Sequence, residues 1–162
     1  VRSALRLTGR RVLTQRDVVT TAWRPASDGV GLGGYTVDVP GPVQLMVEGG
    51  EAVAEGALKV PYFCDPAVAP FALLFDIMLP RRGEVDNLLV PVAVSASHVA
   101  FNAIRLEPTW MVLGQSAGVA AAMAVDGGRL PPGGVAGAVD VGALRARLRT
   151  LGALLEPRLA RE

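Results

Sequence analysis

The feature that most constrains this chain is the segment from Leu88 to Val125, which joins a continuous apolar run to a stretch of small side chains. The run LLVPVAV, Leu88–Val94, is typical of a strand covered on both faces, as in the parallel sheets of α/β proteins. Pro91 has no N–H to donate and therefore predicts an edge position, a bulge or a strand end within the run. A polar-spotted loop follows, and Pro108–Val125 predicts a helix. This strand–loop–helix order indicates an α/β fold.

Small residues recur on one face of the predicted helix, at Gly114, Ala117, Gly118, Ala121 and Ala122. Two glycines inside a helix cost about 0.5–1 kcal/mol each relative to alanine, so another interaction must offset that cost. We expect this face to lie close against the backbone of another element, as in helix-on-sheet packing.

The start of the same helix carries charged residues ahead of the apolar run. Arg105 and Glu107 precede Pro108, whose missing N–H and fixed φ suit the first helical position. A helix N-terminus attracts anions and electron-rich groups, and Arg105 adds a full positive charge there. A flavin, whose N1/C2=O edge becomes anionic on reduction, suits this arrangement. The alternative is a structural ion pair of Arg105 with Glu107 or Asp86.

Shorter signals predict the other elements. Thr14, three residues before Asp17, predicts a helix N-cap. Ala26–Gly34 lacks the spaced GxGxxG fingerprint and predicts a glycine-rich loop that is not a phosphate cradle. Tyr35–Val47 predicts a strand pair around Pro40-Gly41-Pro42, and Pro66–Pro80 predicts a buried strand. Asp140 predicts the N-cap of a closing amphipathic surface helix with leucines at 144, 148 and 151 and its arginines outward.

Composition excludes several classes of function. The net charge of +1 supports no electrostatic attraction to nucleic acid or anionic lipid. The longest apolar stretch is interrupted by Gln115 and Ser116, so no membrane-spanning segment is expected. One cysteine, Cys64, and one histidine exclude an internal disulfide framework and predict no metal site. The mean hydropathy of +0.38, with only 19% charged residues, predicts that further chain covers part of the apolar surface.

The segment DNLLVPVAVSASHVAFNAIRLEPTWMVLGQSAGVAAAMA, which begins at Asp86, resembles the C-terminal flavin-binding segment of the FAD-dependent oxidoreductase family. The similarity is to the group of that family labelled "xanthan lyase". Its members carry a DNLLV strand, an S-A-S/T-H loop, an R-M/L-E-P step and a GQSAG-type helix. Weaker similarity covers the Arg-rich N-terminal segment with its V-L-T-x-x-D turn, the Y-x-x-D strand in GGYTVDV, and the closing helix.

The resemblance implies the C-terminal part of a Rossmann-like FAD-binding domain with part of an inserted α+β substrate domain. Residues 1–84 would belong to the insert, and residues 85–162 to the FAD-binding domain. The resemblance also implies the flavin-end half of an FAD site, with His98 as the candidate catalytic residue. The implied cofactor contacts are Ser97, Arg105, Leu106, Glu107, Pro108 and Met111. Because no dinucleotide fingerprint is present, the implied partners are an N-terminal portion of the same enzyme and a small-molecule substrate.

Several residues keep an alternative interpretation. His98 suits general acid/base chemistry near neutral pH, or a structural hydrogen bond or cofactor contact. Ser95 and Ser97 can instead hydrogen-bond to loop backbone groups, and Met111 can instead pack in the core.

Two functions remain open. One is an FAD-dependent oxidoreductase that transfers a hydride from an unknown organic substrate to FAD. The other is a non-enzymatic α/β interaction or assembly subunit that docks a partner chain. No nucleic-acid or membrane partner is expected.

Overall fold

The computed structural model describes residues 5–39, 44–48, 51–55, 58–59, 69–126 and 131–157. The helices are α1 (Gln15–Val18), α2 (His98–Ile104), α3 (Glu107–Asp126), α4 (Gly134–Ala138) and α5 (Val141–Thr150), with a 3-10 helix at Phe75–Met78. The strands are β1 (Gly29–Gly33), β2 (Asp38–Val39), β3 (Gln44–Glu48), β4 (Glu51–Glu55), β5 (Leu58–Lys59) and β6 (Phe71–Leu74). Within these ranges the strands pair antiparallel as β1–β6, β2–β5 and β3–β4. This mixture of helices and short strands is compatible with the α/β class, and no helix in the described ranges could cross a bilayer.

The glycine-rich segment predicted as a loop forms strand β1 instead. Its glycines make room for neighbouring side chains: a Cβ built on Gly31 would lie 2.3 Å from Cγ1 of Val112 on α3. A Cβ on Gly33 would lie 2.4 Å from the ring of Phe71 on the paired strand β6. The glycines therefore let a helix and an aromatic ring approach the strand closely, a role that the interpretation of glycine as a turn residue does not anticipate.

Helix α3 forms where it was predicted, but its small face does not make the expected close approach. Ala117 is buried, whereas Gly118, Ala121 and Ala122 are not. A Cβ built on Gly114 or Gly118 would meet no atom within 4 Å. The buried residues of α3 are Thr109, Leu113, Ser116, Ala117, Ala120 and Ala124. The expectation of a backbone packed against the glycines of α3 is therefore wrong for the described residues, because the close approach is made by the glycines of β1.

The hydroxyl group of Ser116 on α3 bonds to β1 at a β-bulge in that strand. Gly29 faces Leu74 and Gly31 faces Leu73, so the register shift leaves Val30 opposite no residue of β6. Val30 is fully buried. The Oγ of Ser116 lies 2.8 Å from the carbonyl oxygen of Val30 and 3.0 Å from that of Val112. Its single O–H can therefore satisfy the buried carbonyl that the bulge removes from the strand ladder.

The predicted central strand Leu88–Val94 is an irregular segment with bends at residues 91–93. Leu88 and Val92 are 43% and 46% exposed, so the run is not covered on both faces by the described residues. Its backbone makes one hydrogen bond to each of two neighbouring segments. The N–H of Val90 donates to the carbonyl of Met78, and the carbonyl of Ala93 accepts from the N–H of Leu7. Pro91 has no N–H to donate to a regular strand ladder. The described segments on either side of the run form only the isolated bridges Gly9–Pro80 and Leu13–Ala96.

Three further predictions are corrected. The predicted polar loop contains helix α2, because the Oγ of Ser97 caps it and five of its seven residues are buried. The predicted strand Pro66–Pro80 is strand only at β6 and turns into the 3-10 helix at Phe75, residues 66–68 lying outside the described ranges. The predicted strand pair within Tyr35–Val47 does not form, since β2 pairs with β5 and β3 with β4. The turns at Pro40-Gly41-Pro42 and Gly49-Gly50 lie outside the described ranges.

The predicted helix caps are confirmed. The carboxylate of Asp17 accepts from the N–H and the Oγ of Thr14, each at 2.7 Å, at the start of α1. Asp140 caps α5 by accepting from the N–H of Ala143 at 2.6 Å. Leu144 and Leu148 of α5 are fully buried, whereas Leu151 just beyond it is 56% exposed.

One arginine of α5 does not point outward as predicted. The side chain of Arg145 is only 12% exposed. Its guanidinium donates to the carbonyl of Ala26 at 3.0 Å and to that of Gly29, and pairs with Glu156 at 3.1 Å. Arg145 thus ties α5 to the start of β1, and the prediction failed because helical periodicity cannot show which arginine meets a neighbouring loop.

The hydrophobic core draws on both sides of the predicted boundary between residues 84 and 85. Leu73, Phe75 and Ile77 belong to the same buried cluster as Leu113 and Leu144. The division into residues 1–84 and 85–162 stays a prediction.

Candidate functional site

The junction of α2 and α3 carries most of the predicted site residues. Helix α2 ends at Ile104 with Arg105 as its C-cap, and α3 begins at Glu107, so only Arg105 and Leu106 join the two helices. The carbonyl oxygen of Leu106 accepts from the N–H groups of Thr109 at 3.1 Å and Trp110 at 3.2 Å. Pro108 is the second residue of α3 and has no N–H. The first turn therefore offers a ligand fewer backbone donors than an ordinary helix N-terminus does.

Arg105 forms an ion pair with a residue that the sequence did not indicate as its partner. Its Nη2 lies 3.3 Å from Oδ2 of Asp38 on β2, and the two side chains are 22% and 35% exposed. The partners considered from the sequence were Glu107 and Asp86. Asp38 is the aspartate of the Y-x-x-D pattern, so the signal was present, but only the tertiary structure brings β2 to the end of α2.

Two buried donors at this junction have no hydrogen-bond partner in the described part of the chain. They are Nε of Arg105 and Nε1 of Trp110. Both groups can only donate a hydrogen bond, so each needs an acceptor as its partner. A buried polar group left without a partner costs about 1–3 kcal/mol. Each of these donors therefore needs an acceptor that the described residues do not supply.

Ser97 and His98 lie at the opposite end of α2 from Arg105. The seven residues of α2 separate the two ends by about 10 Å at 1.5 Å per residue. The Oγ of Ser97 accepts from the N–H of Ala100 at 3.2 Å, which is the backbone role considered for it. His98 is exposed, and its carbonyl oxygen accepts from Nδ2 of Asn102 at 2.7 Å. Among the described residues, no hydrogen bond or ion pair joins Ser97 or His98 to Arg105.

The remaining predicted contacts lie on the outer side of the junction. Glu107 and Pro108 are exposed, Leu106 is half-buried, and Met111 is 74% exposed. Met111 is therefore not a core residue, which was the alternative considered for it. An exposed thioether one turn into α3 remains accessible to a ligand or to another chain.

The chain N-terminal to α1 holds α2 in place. The guanidinium of Arg6 lies 5.3 Å from the ring centroid of the buried Phe101 on α2, within the range of a cation–π contact. The fully buried Oγ of Ser95 accepts from the N–H of Gly9 at 2.9 Å. The predicted backbone role of Ser95 is thereby confirmed. In the described ranges no three His, Cys, Asp or Glu side chains cluster as a metal site would require, and Cys64 lies outside those ranges.

Comparison with known proteins adds one finding to this geometry. A family model described as "FAD dependent oxidoreductase" matches residues 1–148. The matched range contains the α2–α3 junction and also Asp38 on β2. No curated protein and no solved structure matches the chain.

Proposed function

Because the chain belongs to the FAD dependent oxidoreductase family and FAD is the cofactor of that family, we propose that the α2–α3 junction forms the flavin-end half of an FAD site. The observation that carries this proposal is the pair of buried donors without partners in the described part of the chain, Arg105 Nε and Trp110 Nε1. The pyrimidine edge of a flavin presents acceptors, which are the groups these donors need. The finer assignment to the "xanthan lyase" group rests on the motif similarity alone.

The proposed reaction is hydride transfer from an organic substrate to FAD. The flavin supplies the redox chemistry, and the protein supplies orientation and charge. Arg105 places positive charge beside the edge that becomes anionic, while Asp38 fixes the guanidinium and offsets part of its charge. The start of α3 adds about 0.3–1 kcal/mol of favourable interaction with an anion. Ser97, Leu106, Glu107, Pro108 and Met111 remain proposed cofactor contacts. His98 is the proposed general acid/base, its exposed imidazole accessible to a substrate.

We assign the pyrophosphate half of the site to an N-terminal portion of the same enzyme that carries a dinucleotide fingerprint. The glycine-rich segment present here is a strand packed under α3, so it does not serve that purpose. Leu13 and Ala96 form a parallel bridge, and Ser95 N–H donates to Ile77 O. Ile77 lies in the 3-10 helix, so the one parallel pairing here is the isolated Leu13–Ala96 bridge among the described residues, which suits a Rossmann-like sheet finished by other strands.

Redox titration of the complete enzyme tests the charge at the junction. Arg105→Ala should lower the two-electron midpoint potential of the bound flavin by about 10–40 mV, equivalent to ~0.5–2 kcal/mol of lost charge stabilisation. Asp38→Asn should raise the potential, since it removes the opposing charge. Arg105→Lys should retain most of the wild-type potential. Arg147→Ala, which removes an exposed arginine of α5, is the control. If the two variants Arg105→Ala and Asp38→Asn shift the midpoint potential in the same direction, or do not shift it, the proposed position of the flavin is contradicted.

Flavin binding by the chain alone tests the two-part site. We expect the isolated chain to bind FAD weakly or not at all, and the complete enzyme to bind it tightly. Purification of the isolated chain as a yellow protein with one FAD per chain would show that the pyrophosphate half is not needed.

A second candidate function is a non-enzymatic α/β assembly subunit. The outer face of α3 favours it, because Met111 and Val125 are 74% and 73% exposed and Gly118 and Ala122 lie between them on the same face. Apart from the exposed Gln115, this face is apolar, and such a face suits a partner chain. The candidates separate in one experiment: a partner chain that binds this face and yields FAD-dependent substrate oxidation supports the enzyme, whereas a stable complex devoid of FAD supports the assembly subunit.

A further inference from the structure

We propose that a cavity between α1, the segment after it and strand β6 binds an oxyanion, a phosphate or carboxylate group of a small molecule. This site is separate from the flavin junction and does not depend on its assignment. Three arginines, Arg11, Arg16 and Arg24, line the cavity together with Asp17 and Thr20. The apolar part of the lining comes from Pro25, Ala26, Pro70, Phe71, Ala72 and Leu74.

Three arginines line this cavity against two nearby carboxylates, Asp17 and Asp28, so its charge stays net positive. Arg11 lies 3.8 Å from carboxylate oxygens of Asp17 and Asp28, beyond hydrogen-bond distance, and its side chain is 47% exposed. The other oxygen of Asp17 is already engaged by the N–H and hydroxyl of Thr14. In the described part of the chain, Arg16 and Arg24 form no ion pair. Three guanidinium groups thus retain donors for a shared anion.

Thr20 gives an independent indication of a ligand. The residue is 6% exposed, and its Oγ1 is buried with no hydrogen-bond partner among the described residues. Its carbonyl oxygen accepts from the N–H of Ala69 at 2.9 Å, which holds the residue at the cavity wall. An oxygen of a ligand in the adjoining cavity would be the partner that this hydroxyl lacks. Such a partner accounts for a buried polar group that is otherwise costly to keep.

The size of the cavity limits what it can hold. Its volume is about 160 Å³, whereas sites that enclose a whole drug-sized ligand measure about 300–1,000 Å³. The cavity therefore suits one anionic head group, with the rest of the molecule left outside. Arginine binds both phosphate and carboxylate through paired N–H donors, so the shared chemistry is that of an oxyanion.

Titration of the full chain with inorganic phosphate and with acetate, in the absence of FAD, tests the site. Ionic strength is held constant with NaCl so that screening does not change. We expect saturable binding at one site. The double variant Arg16→Gln/Arg24→Gln should weaken it at least about tenfold, as expected for loss of charge-assisted hydrogen bonds. Thr20→Val, nearly isosteric with threonine, should also weaken binding while circular dichroism confirms folding.

The matched control is Arg82→Gln/Arg147→Gln, which removes two exposed arginines that do not line the cavity. It should leave the affinity unchanged. Binding of phosphate without acetate identifies a phosphoryl group, and binding of acetate without phosphate identifies a carboxylate; both outcomes support the site. Absence of binding by the wild-type chain, or equal weakening in the control, overturns the proposal. Because these measurements contain no flavin, their failure leaves the proposed redox function unaffected.

Discussion

Substitution of Gly31 by alanine should destabilise the protein through one identifiable contact. The new Cβ would lie 2.3 Å from Cγ1 of Val112 and 3.4 Å from Cδ1 of Leu73. Carbon atoms pack best at about 3.5–4.0 Å, so the contact with Val112 is too short by about 1.2–1.7 Å. Valine is stiff at χ1 and cannot rotate its methyl group away without strain. Helix α3 must therefore move relative to β1.

The magnitude follows from two opposing effects. Overpacking of a core typically costs about 1–3 kcal/mol. The backbone of Gly31 does not have positive φ, so alanine also gains about 0.4–1 kcal/mol by restricting the unfolded chain. The difference is a net loss of about 0–2.6 kcal/mol in the free energy of unfolding, with a central value of about 1.3 kcal/mol. In the Val112→Ala background the obstructing methyl is absent, and Gly31→Ala should become neutral or stabilising.

Urea unfolding followed by circular dichroism, across the full double-mutant cycle, measures the coupling between the two residues. Gly118→Ala is the control on α3, since a Cβ there meets no atom within 4 Å. It should stabilise the protein by about 0.5–1 kcal/mol through helix propensity alone. A cost of Gly31→Ala that is the same in the wild-type and Val112→Ala backgrounds would refute the close approach of α3 to β1.

Two further substitutions test the contacts that position the helices. Ser116→Ala should lower the free energy of unfolding by about 1–3 kcal/mol, because it leaves the buried carbonyl of Val30 without the hydroxyl now 2.8 Å away. A change below about 0.5 kcal/mol, the size typical of surface substitutions, would show that the carbonyl finds another donor. Asp140→Ala should cost about 0.5–2 kcal/mol through loss of the N-cap of α5, whereas Asp140→Asn should retain most of the stability. Urea midpoints at constant m-value check both.

Local signals in the sequence were sufficient wherever the determining contact lies within a few residues. The caps at Thr14–Asp17 and Asp140 were predicted correctly, since capping needs only a side chain and the N–H groups of the next turn. Helix α3 was placed nearly to its ends for the same reason. The family was also evident from local motifs, and the match over residues 1–148 confirmed it.

The orientation of those elements could not be predicted from local patterns. Small residues on α3 predict close packing, but the same pattern is compatible with an exposed smooth face, and Gly118 lies there. Glycines predict a loop at Ala26–Gly34, yet a strand beneath a closely packed helix needs glycines too. Which interpretation holds depends on the partner element, and that partner is distant in the sequence.

The sequence by itself determined the family, the FAD cofactor and the helical segments that begin at capping residues, because each depends on residues close together in the chain. Only the tertiary structure decided that Arg105 pairs with Asp38, that Ser116 satisfies Val30, and that Arg145 donates to the carbonyl of Gly29 on β1. Each of these contacts joins residues more than 60 positions apart. Such contacts form because burial leaves polar groups that must find partners, and the fold alone sets which partner is near.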